Sequence, residues 1–146
     1  MNTFRIFDGL TKSELNYVVD SGVICPLESG KVLFKKGEAG REMYVILTGK
    51  IDIVDEYNTY YNVLAELGPG EVFGEMAMFE KEHTRSAHAL VKEPAQVLVL
   101  SEEKLNKLVD KKMPKQFLTN IIAMLCHRLR ATNSLYMHAK YGEKLA

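Results

Sequence analysis

Two side chains of opposite charge stand out in the segment FGEMAMFEKEHTRSAHA, which covers residues 73–89. Arg85 offers a planar guanidinium that matches two phosphate oxygens at once, and Ser86 beside it adds a hydroxyl donor. Glu75 is unsuited to an anion, but a carboxylate accepts well from a ribose hydroxyl. Gly74 leaves the backbone open before EMAMF, whose free amides would attract an anion. The pattern therefore indicates either a nucleotide pocket or an ordinary surface ion pair.

The residues around this segment predict a fold of short antiparallel strands. Between Gly22 and Ser101, short apolar runs alternate with glycines, which is typical of an antiparallel sandwich or roll. A short helix precedes them in TKSELNYVV, where Thr11 and Glu14 can cap each other's free amides. We therefore predict an α+β fold, with an antiparallel β-roll of the jelly-roll, cupin-like kind over about residues 22–101.

The hydrophobic period becomes helical after Ser101, and we predict helices over about residues 102–139. Ser101 can cap the first helix, and Pro114 suits the first turn of a longer one that ends near Ala139. Six positions on the long helix alternate at spacings of four and three, as in a coiled-coil seam: Leu118, Ile122, Leu125, Leu129, Thr132 and Tyr136. A parallel dimer is the preferred interpretation, and packing of this stripe on the chain's own roll is the alternative.

Composition narrows the class of protein. The 146 residues fit one domain, and 19 basic residues balance 19 acidic ones, so no strong field favours nucleic acid or membrane. No signal peptide and no membrane-spanning run is visible, and the isolated Cys25 and Cys126 are predicted to be buried thiols of a cytoplasmic protein. The four histidines form no metal-binding motif. We expect no enzyme activity, no metal site and no prosthetic group.

Residues 73–89 resemble the phosphate-binding cassette of the cyclic-nucleotide-binding domain family. Its pattern is roughly Phe-Gly-Glu, apolar, Ala, apolar, a variable gap, then Arg, a small residue and Ala; Phe73 and Ala87 complete the two ends here. GEAGREMYVILTGKIDIV and LGPGEVFGE resemble the family's preceding segments, and the resemblance runs from about Phe4 to His138. The departures are a gap, EKEHT, without proline and methionine in place of the commoner leucine at positions 76 and 78.

The resemblance implies a role for each matching residue. Glu75 would hold the ribose 2′-hydroxyl and Arg85 the cyclic phosphate, while Ser86 would contact phosphate or base. Backbone contacts would come from Gly74, Met76 and Ala77, and Leu64 is expected to supply an apolar wall for the base.

The stretch HRLRATNS resembles the long helix of the bacterial catabolite activator subfamily, in which a threonine and the next polar residue meet the adenine. Thr132 from one helix and Asn133 from the partner helix would take those places, which would account for a hydroxyl in the seam. We therefore expect a regulatory module that binds cyclic AMP, with cyclic GMP as the other candidate, and closes the last helix over the base.

The expected output is a protein partner. The family's bacterial regulators carry a helix-turn-helix after the long helix, whereas this sequence ends at YGEKLA, so direct DNA binding is not expected. The alternative is a dimerisation or scaffold domain of the same fold that senses another small molecule or none.

Overall fold

Six antiparallel strands and four helices make up the computed structural model, which describes residues 6–57, 60–111 and 114–145. The predicted start of the family resemblance, Phe4, lies outside these residues. The strands are β1 (Val23–Leu27), β2 (Val32–Phe34), β3 (Glu42–Tyr57), β4 (Tyr60–Leu67), β5 (Val72–Phe73) and β6 (His88–Ser101). The helices are α1 (Lys12–Asp20), α2 (Glu75–Phe79), α3 (Glu102–Lys111) and α4 (Lys115–Leu145).

The two long strands, β3 and β6, form the centre of the sheet. The strand order is β1-β6-β3-β4, with β2 also paired to β6 and β5 also paired to β3. The β3–β6 register shifts three times between Ile46 and Ile51, and such irregularities bend strands. Gly49 lies within this bend at φ 89°, where a Cβ would come within 2.3 Å of the Pro94 carbonyl oxygen. The bend lets the sheet curl, and the predicted antiparallel roll is confirmed.

Alternation along β3 separates two apolar cores. Met43 and Val45 point into the core between the roll and the helices, whereas Tyr44 and Ile46 point into the interior of the roll. Because successive side chains of a strand face opposite sides, one strand contributes to both layers. The roll is thereby fixed against the helices on one side and keeps a packed interior on the other.

The predicted helix caps at Thr11 and Ser101 are present. The Thr11 hydroxyl accepts from the Glu14 amide at 3.1 Å, and Glu14 accepts from the Thr11 amide at 2.9 Å. The Ser101 hydroxyl accepts from the Lys104 amide at 3.1 Å. The last helix is longer than predicted, since α4 continues past Ala139 to Leu145.

One face of α4 holds it against the body of the fold. Phe117, Ile121 and Met124 are buried in the core beneath the roll. Between them, the Asn120 amide donates to the carbonyl oxygens of Ile6 and Asp8, both at 2.7 Å. These contacts fix the N-terminal half of α4.

The apolar positions of the predicted seam lie on another, exposed face of α4. They are between 37% and 61% exposed: Leu118, Ile122, Leu125, Leu129 and Tyr136. The stripe therefore does not pack on the chain's own roll, and the dimer stays a prediction. Cys126, expected to be buried, is exposed on α4, while Cys25 is half-buried. No helix among the described residues is long and apolar enough to cross a membrane.

Candidate functional site

A cavity of about 510 Å³ opens between the roll, the start of α2 and one face of α4. Every predicted site residue except Asn133 lines it: Leu64, Phe73, Gly74, Glu75, Met76, Ala77, Arg85, Ser86, Ala87 and Thr132. Asn133 is exposed on α4 and does not line the cavity of its own chain. The segment 73–89 thus folds back so that the Glu75 carboxylate and the Arg85 guanidinium line the same cavity.

Arg85 is a buried, largely hydrogen-bonded cation in the cavity wall. Its Nη1 donates to the carbonyl oxygens of Glu42 at 3.0 Å and Gly74 at 2.9 Å, and Nη2 donates to the Glu42 carboxylate at 3.1 Å. The guanidinium carbon lies 4.2 Å from the centre of the Phe34 ring, a distance at which a cation is attracted to the aromatic face. Its Nε is buried and has no hydrogen-bond partner among the described residues. Groups of the protein itself therefore hold this charge in place.

The loop between β2 and β3 fixes the backbone around Arg85. The Arg85 amide donates to the Glu38 carbonyl oxygen, and the Gly37 amide donates to the Arg85 carbonyl oxygen, each at 2.8 Å. Gly40 lies directly against the side chain, because a Cβ there would be 2.1 Å from Arg85 Nε. Only a residue without a side chain at position 40 leaves the guanidinium in this position.

Glu75 is buried at the start of α2 and is paired with α4. Its neighbour Gly74 has φ 79°, in the left-handed region that favours glycine. One carboxylate oxygen of the buried Glu75 accepts from Arg128 Nη1 at 3.0 Å. Arg128 Nη2 also donates to the Val72 carbonyl oxygen. A single arginine therefore connects the last helix to the segment that carries Glu75.

Sequence reasoning did not find Arg128 as a site residue. The available signal was its position four residues before Thr132, which places both on one face of a helix. Both residues line the cavity, and the Thr132 hydroxyl donates to the Arg128 carbonyl oxygen at 3.0 Å. Glu42 was also missed, because nothing in the local pattern relates it to Arg85.

The cavity has a charged end and an apolar rim. Leu64 from β4, Leu135 from α4 and Met76 from α2 line it and are 61%, 71% and 48% exposed. The Ser86 hydroxyl lies 3.8 Å from the Met76 sulfur. Arg85 and Glu75 lie deeper, so a ligand with a charged part and a flat apolar part fits the arrangement.

Two titratable groups near the cavity are held in one charge state. A hydrogen bond from Lys92 lowers the pKa of the Glu66 carboxyl, which lines the cavity, so Glu66 stays ionised. Burial raises the pKa of Tyr44, and the Arg85 charge opposes that shift. Tyr44 remains neutral and stacks on Phe73 at 4.9 Å between ring centres. No group of three or more His, Cys, Asp or Glu in the described ranges could hold a metal ion.

Residues 24–112 match the family profile described as the cyclic nucleotide-binding domain. The chain belongs to this family. Its members are ligand-binding regulatory domains, and the predicted family resemblance is confirmed. The matched residues include the whole segment that forms the charged end of the cavity, while Arg128 and Thr132 lie beyond them.

Regulators with this domain are similar over most of the chain. The Cyclic AMP receptor protein of Thermus thermophilus is 32% identical over 126 residues, covering 86% of this chain and 57% of that protein. A CRP-like cAMP-activated global transcriptional regulator of Mycobacterium tuberculosis is 25% identical over 130 residues, covering 88% of this chain and 57% of its own length. The crystal structure of Thermus thermophilus catabolite activator protein superposes with a TM-score of 0.81 at 29% identity, covering 93% of this chain and 63% of that chain. The chain thus spans about 57% of the length of these curated relatives.

Proposed function

We propose that this chain is a regulatory sensor that binds cyclic AMP in the cavity. Arg85 would hold the cyclic phosphate and Glu75 the ribose 2′-hydroxyl. The observation that carries this proposal is that the side chains of Arg85 and Glu75, 2% and 7% exposed, line the same cavity with opposite charges. Buried charges are costly unless they are paired or used, and their chemistry matches the two polar parts of a cyclic nucleotide.

The expected affinity requires several contacts together. A hydrogen bond to a charged group contributes about 1.5–3 kcal/mol, whereas micromolar binding requires about 8 kcal/mol. Gly74 and Met76 would add backbone amides, Ser86 a hydroxyl, and Leu64 an apolar surface for the base. All four line the cavity with the two charged residues.

The preference for cyclic AMP is supported at the α4 side. Thr132 lines the cavity, where its hydroxyl would meet the adenine, and the similar Thermus thermophilus protein is named a Cyclic AMP receptor protein. The ligand would close α4 over the base, since a ligand shifts a helix only by binding one arrangement better. Amide hydrogen exchange over residues 125–136 should slow when cyclic AMP is added. Equal exchange with and without ligand would contradict this closure.

A homodimer through α4 is the second part of the proposal. The exposed seam runs along a helix whose residues 131–141 are all exposed in the single chain. Most helical stability in proteins comes from packing of an apolar face, and a second copy of α4 provides that packing. Asn133 of one copy would then reach the base bound by the other. The closed helix would pass the signal to a protein partner. The predicted location of the chain is the cytoplasm.

Titration calorimetry with cyclic AMP, cyclic GMP and linear AMP tests the ligand. We expect the wild type to bind cyclic AMP most tightly and linear AMP weakly. Arg85→Ala and Glu75→Ala should each weaken cyclic AMP binding about tenfold or more, the loss expected for one such bond. Arg41→Ala is the matched control, because Arg41 is 64% exposed and pairs with Glu102 at 2.9 Å.

Two results would change the proposal. Unchanged affinity in both site variants would remove the site assignment. A wild type that binds none of the three nucleotides but sediments as a dimer would favour the alternative, a dimerisation or scaffold domain, which the exposed seam of α4 also supports.

A further inference from the structure

Glu42 contacts Arg85 from outside the ligand cavity. It begins β3, and its side chain is 43% exposed, whereas that of Arg85 is 2% exposed. Glu42 does not line the cavity between the roll and α4; it lines a separate groove with Arg41, Ser101 and Glu102. Arg85 therefore lines the ligand cavity and at the same time pairs with a carboxylate that lies outside it.

The hydrogen bonds of Arg85 show how much of it is already engaged. A guanidinium has five N–H donors. Two on Nη1 are used by backbone carbonyls, and one on Nη2 is used by the Glu42 carboxylate. Within the described residues, Glu42 is the only acidic side chain in an ion pair with Arg85. Most of its hydrogen-bonding capacity and its one counter-charge are thus taken up inside the protein.

We propose that Glu42 is a built-in counter-ion of Arg85 that competes with the ligand's phosphate, so that its charge lowers the affinity of this chain for an anionic ligand. A buried guanidinium needs an anion beside it, and Glu42 supplies one when no ligand is bound. An arriving phosphate is a second anion on the same guanidinium, and the two anions repel each other. This inference rests on the proposed function, because it requires the phosphate to bind at Arg85.

Glu42→Gln separates the charge of Glu42 from its shape. The glutamine keeps an oxygen that can accept from Nη2, while the two carbonyls and the Phe34 ring continue to position the guanidinium. We expect the melting temperature of the ligand-free protein to fall and the affinity for cyclic AMP to rise about fivefold, as for a partly screened repulsion. The rise in melting temperature on adding saturating cyclic AMP should be larger than in the wild type.

Control variants keep the test decisive. Glu93→Gln removes the same charge from an exposed position on β6 and should leave the affinity unchanged. Glu42→Asp keeps the charge but withdraws it by one methylene, and should give an affinity between those of the wild type and Glu42→Gln. It also serves if Glu42→Gln does not fold. Since Glu42 is partly exposed, the difference from the wild type should shrink as salt is raised.

The outcomes distinguish this inference from the proposed function. A wild type that binds cyclic AMP, together with a Glu42→Gln variant that binds equally or less tightly, would overturn the competition and leave the site intact, because Glu42 would then only position Arg85. A wild type that binds no cyclic nucleotide would overturn the proposed function, and the competition with it. Tighter binding by Glu42→Gln alone among the charge-removing variants is the expected result.

Discussion

Arg128 connects the last helix to the segment that would hold the ribose, and Arg128→Gln should break this connection. Its Nη1 lies 3.0 Å from a Glu75 oxygen, and its Nη2 donates to the Val72 carbonyl oxygen. Glutamine is too short and uncharged to replace both bonds. The variant leaves the Glu75 side chain, 7% exposed, without the cation that neutralises its carboxylate.

The size of the effect follows from the burial of the two partners. Losing a hydrogen bond between charged groups costs about 1.5–3 kcal/mol. Arg128 itself is 29% exposed, and water that enters there will offset part of the loss, so we expect about 1–3 kcal/mol. For a chain of this size, that lowers the melting temperature by roughly 3–10 °C. Affinity for cyclic AMP should also fall about tenfold, because Glu75 becomes free to rotate and its charge is no longer balanced near the phosphate.

Thermal unfolding and calorimetric titration measure these two effects on the same samples. Arg130→Gln is the matched control, since it removes an exposed arginine two residues away on the same helix. If Arg128→Gln had the melting temperature and the affinity of Arg130→Gln, the ion pair would not connect α4 to the site, and the proposed coupling of ligand to helix would lose its main contact.

Three further perturbations test other parts of the structure. Gly40→Val should weaken cyclic AMP binding about tenfold and also lower the melting temperature, because its Cβ would displace the buried guanidinium of Arg85 from its hydrogen bonds; Gly68→Val, with nothing within 4 Å of its Cβ, is the control for both measurements. Asn120→Ala should cost about 2 kcal/mol in denaturant unfolding, because the buried carbonyl of Ile6 and the partly buried carbonyl of Asp8 lose their donor; a loss below that of an exposed α4 alanine variant would contradict this. The lowered pKa of Glu66 means that its pairing with Lys92 stabilises the fold above the unfolded pKa of about 4.5 and that this is lost as pH falls through the folded pKa. In Glu66→Gln, the free energy of unfolding should therefore fall less steeply than in the wild type as the pH is lowered below about 4.5. The same pH dependence in both proteins would show that the pair does not contribute.

The elements predicted correctly from the sequence are those determined by residues close together along the chain. Glycine-bounded apolar runs indicated the strands, and Thr11 and Ser101 indicated helix starts, because caps and turns are decided by residues a few positions apart. Gly74, Glu75, Arg85 and Ser86 were predicted from the chemistry of one short segment, and the family resemblance added Phe73, Met76, Ala77 and Ala87; all eight line the cavity. The apolar stripe on α4 was predicted from the spacing of four and three residues, and the structure shows that its apolar side chains are exposed.

The missed features depend on contacts between distant parts of the chain. Arg128 and Glu75 are 53 residues apart, and Arg85 and Glu42 are 43 residues apart. Spacing along the sequence carries no information about such pairs until the fold is known. The end of α4 was missed for a different reason. Gly142 favours helix ends, but here the helix continues through it, at a cost of about 1 kcal/mol relative to alanine.

The two ends of the cavity differ in how firmly they are built. Arg85 is fixed by backbone hydrogen bonds on both sides of its peptide unit, by Gly40 and by the Phe34 ring, all within the roll. The opposite end is formed by Thr132 and Leu135 on the exposed part of α4. If α4 closes as proposed, contacts at the firm end would be the same before and after the closure, so they would add affinity without moving the helix. Only contacts made on α4 differ between its positions, and a ligand acts on an equilibrium through such differences alone. Arg85 should therefore contribute to affinity alone, whereas Arg128 and Thr132 should contribute both to affinity and to the response of the helix.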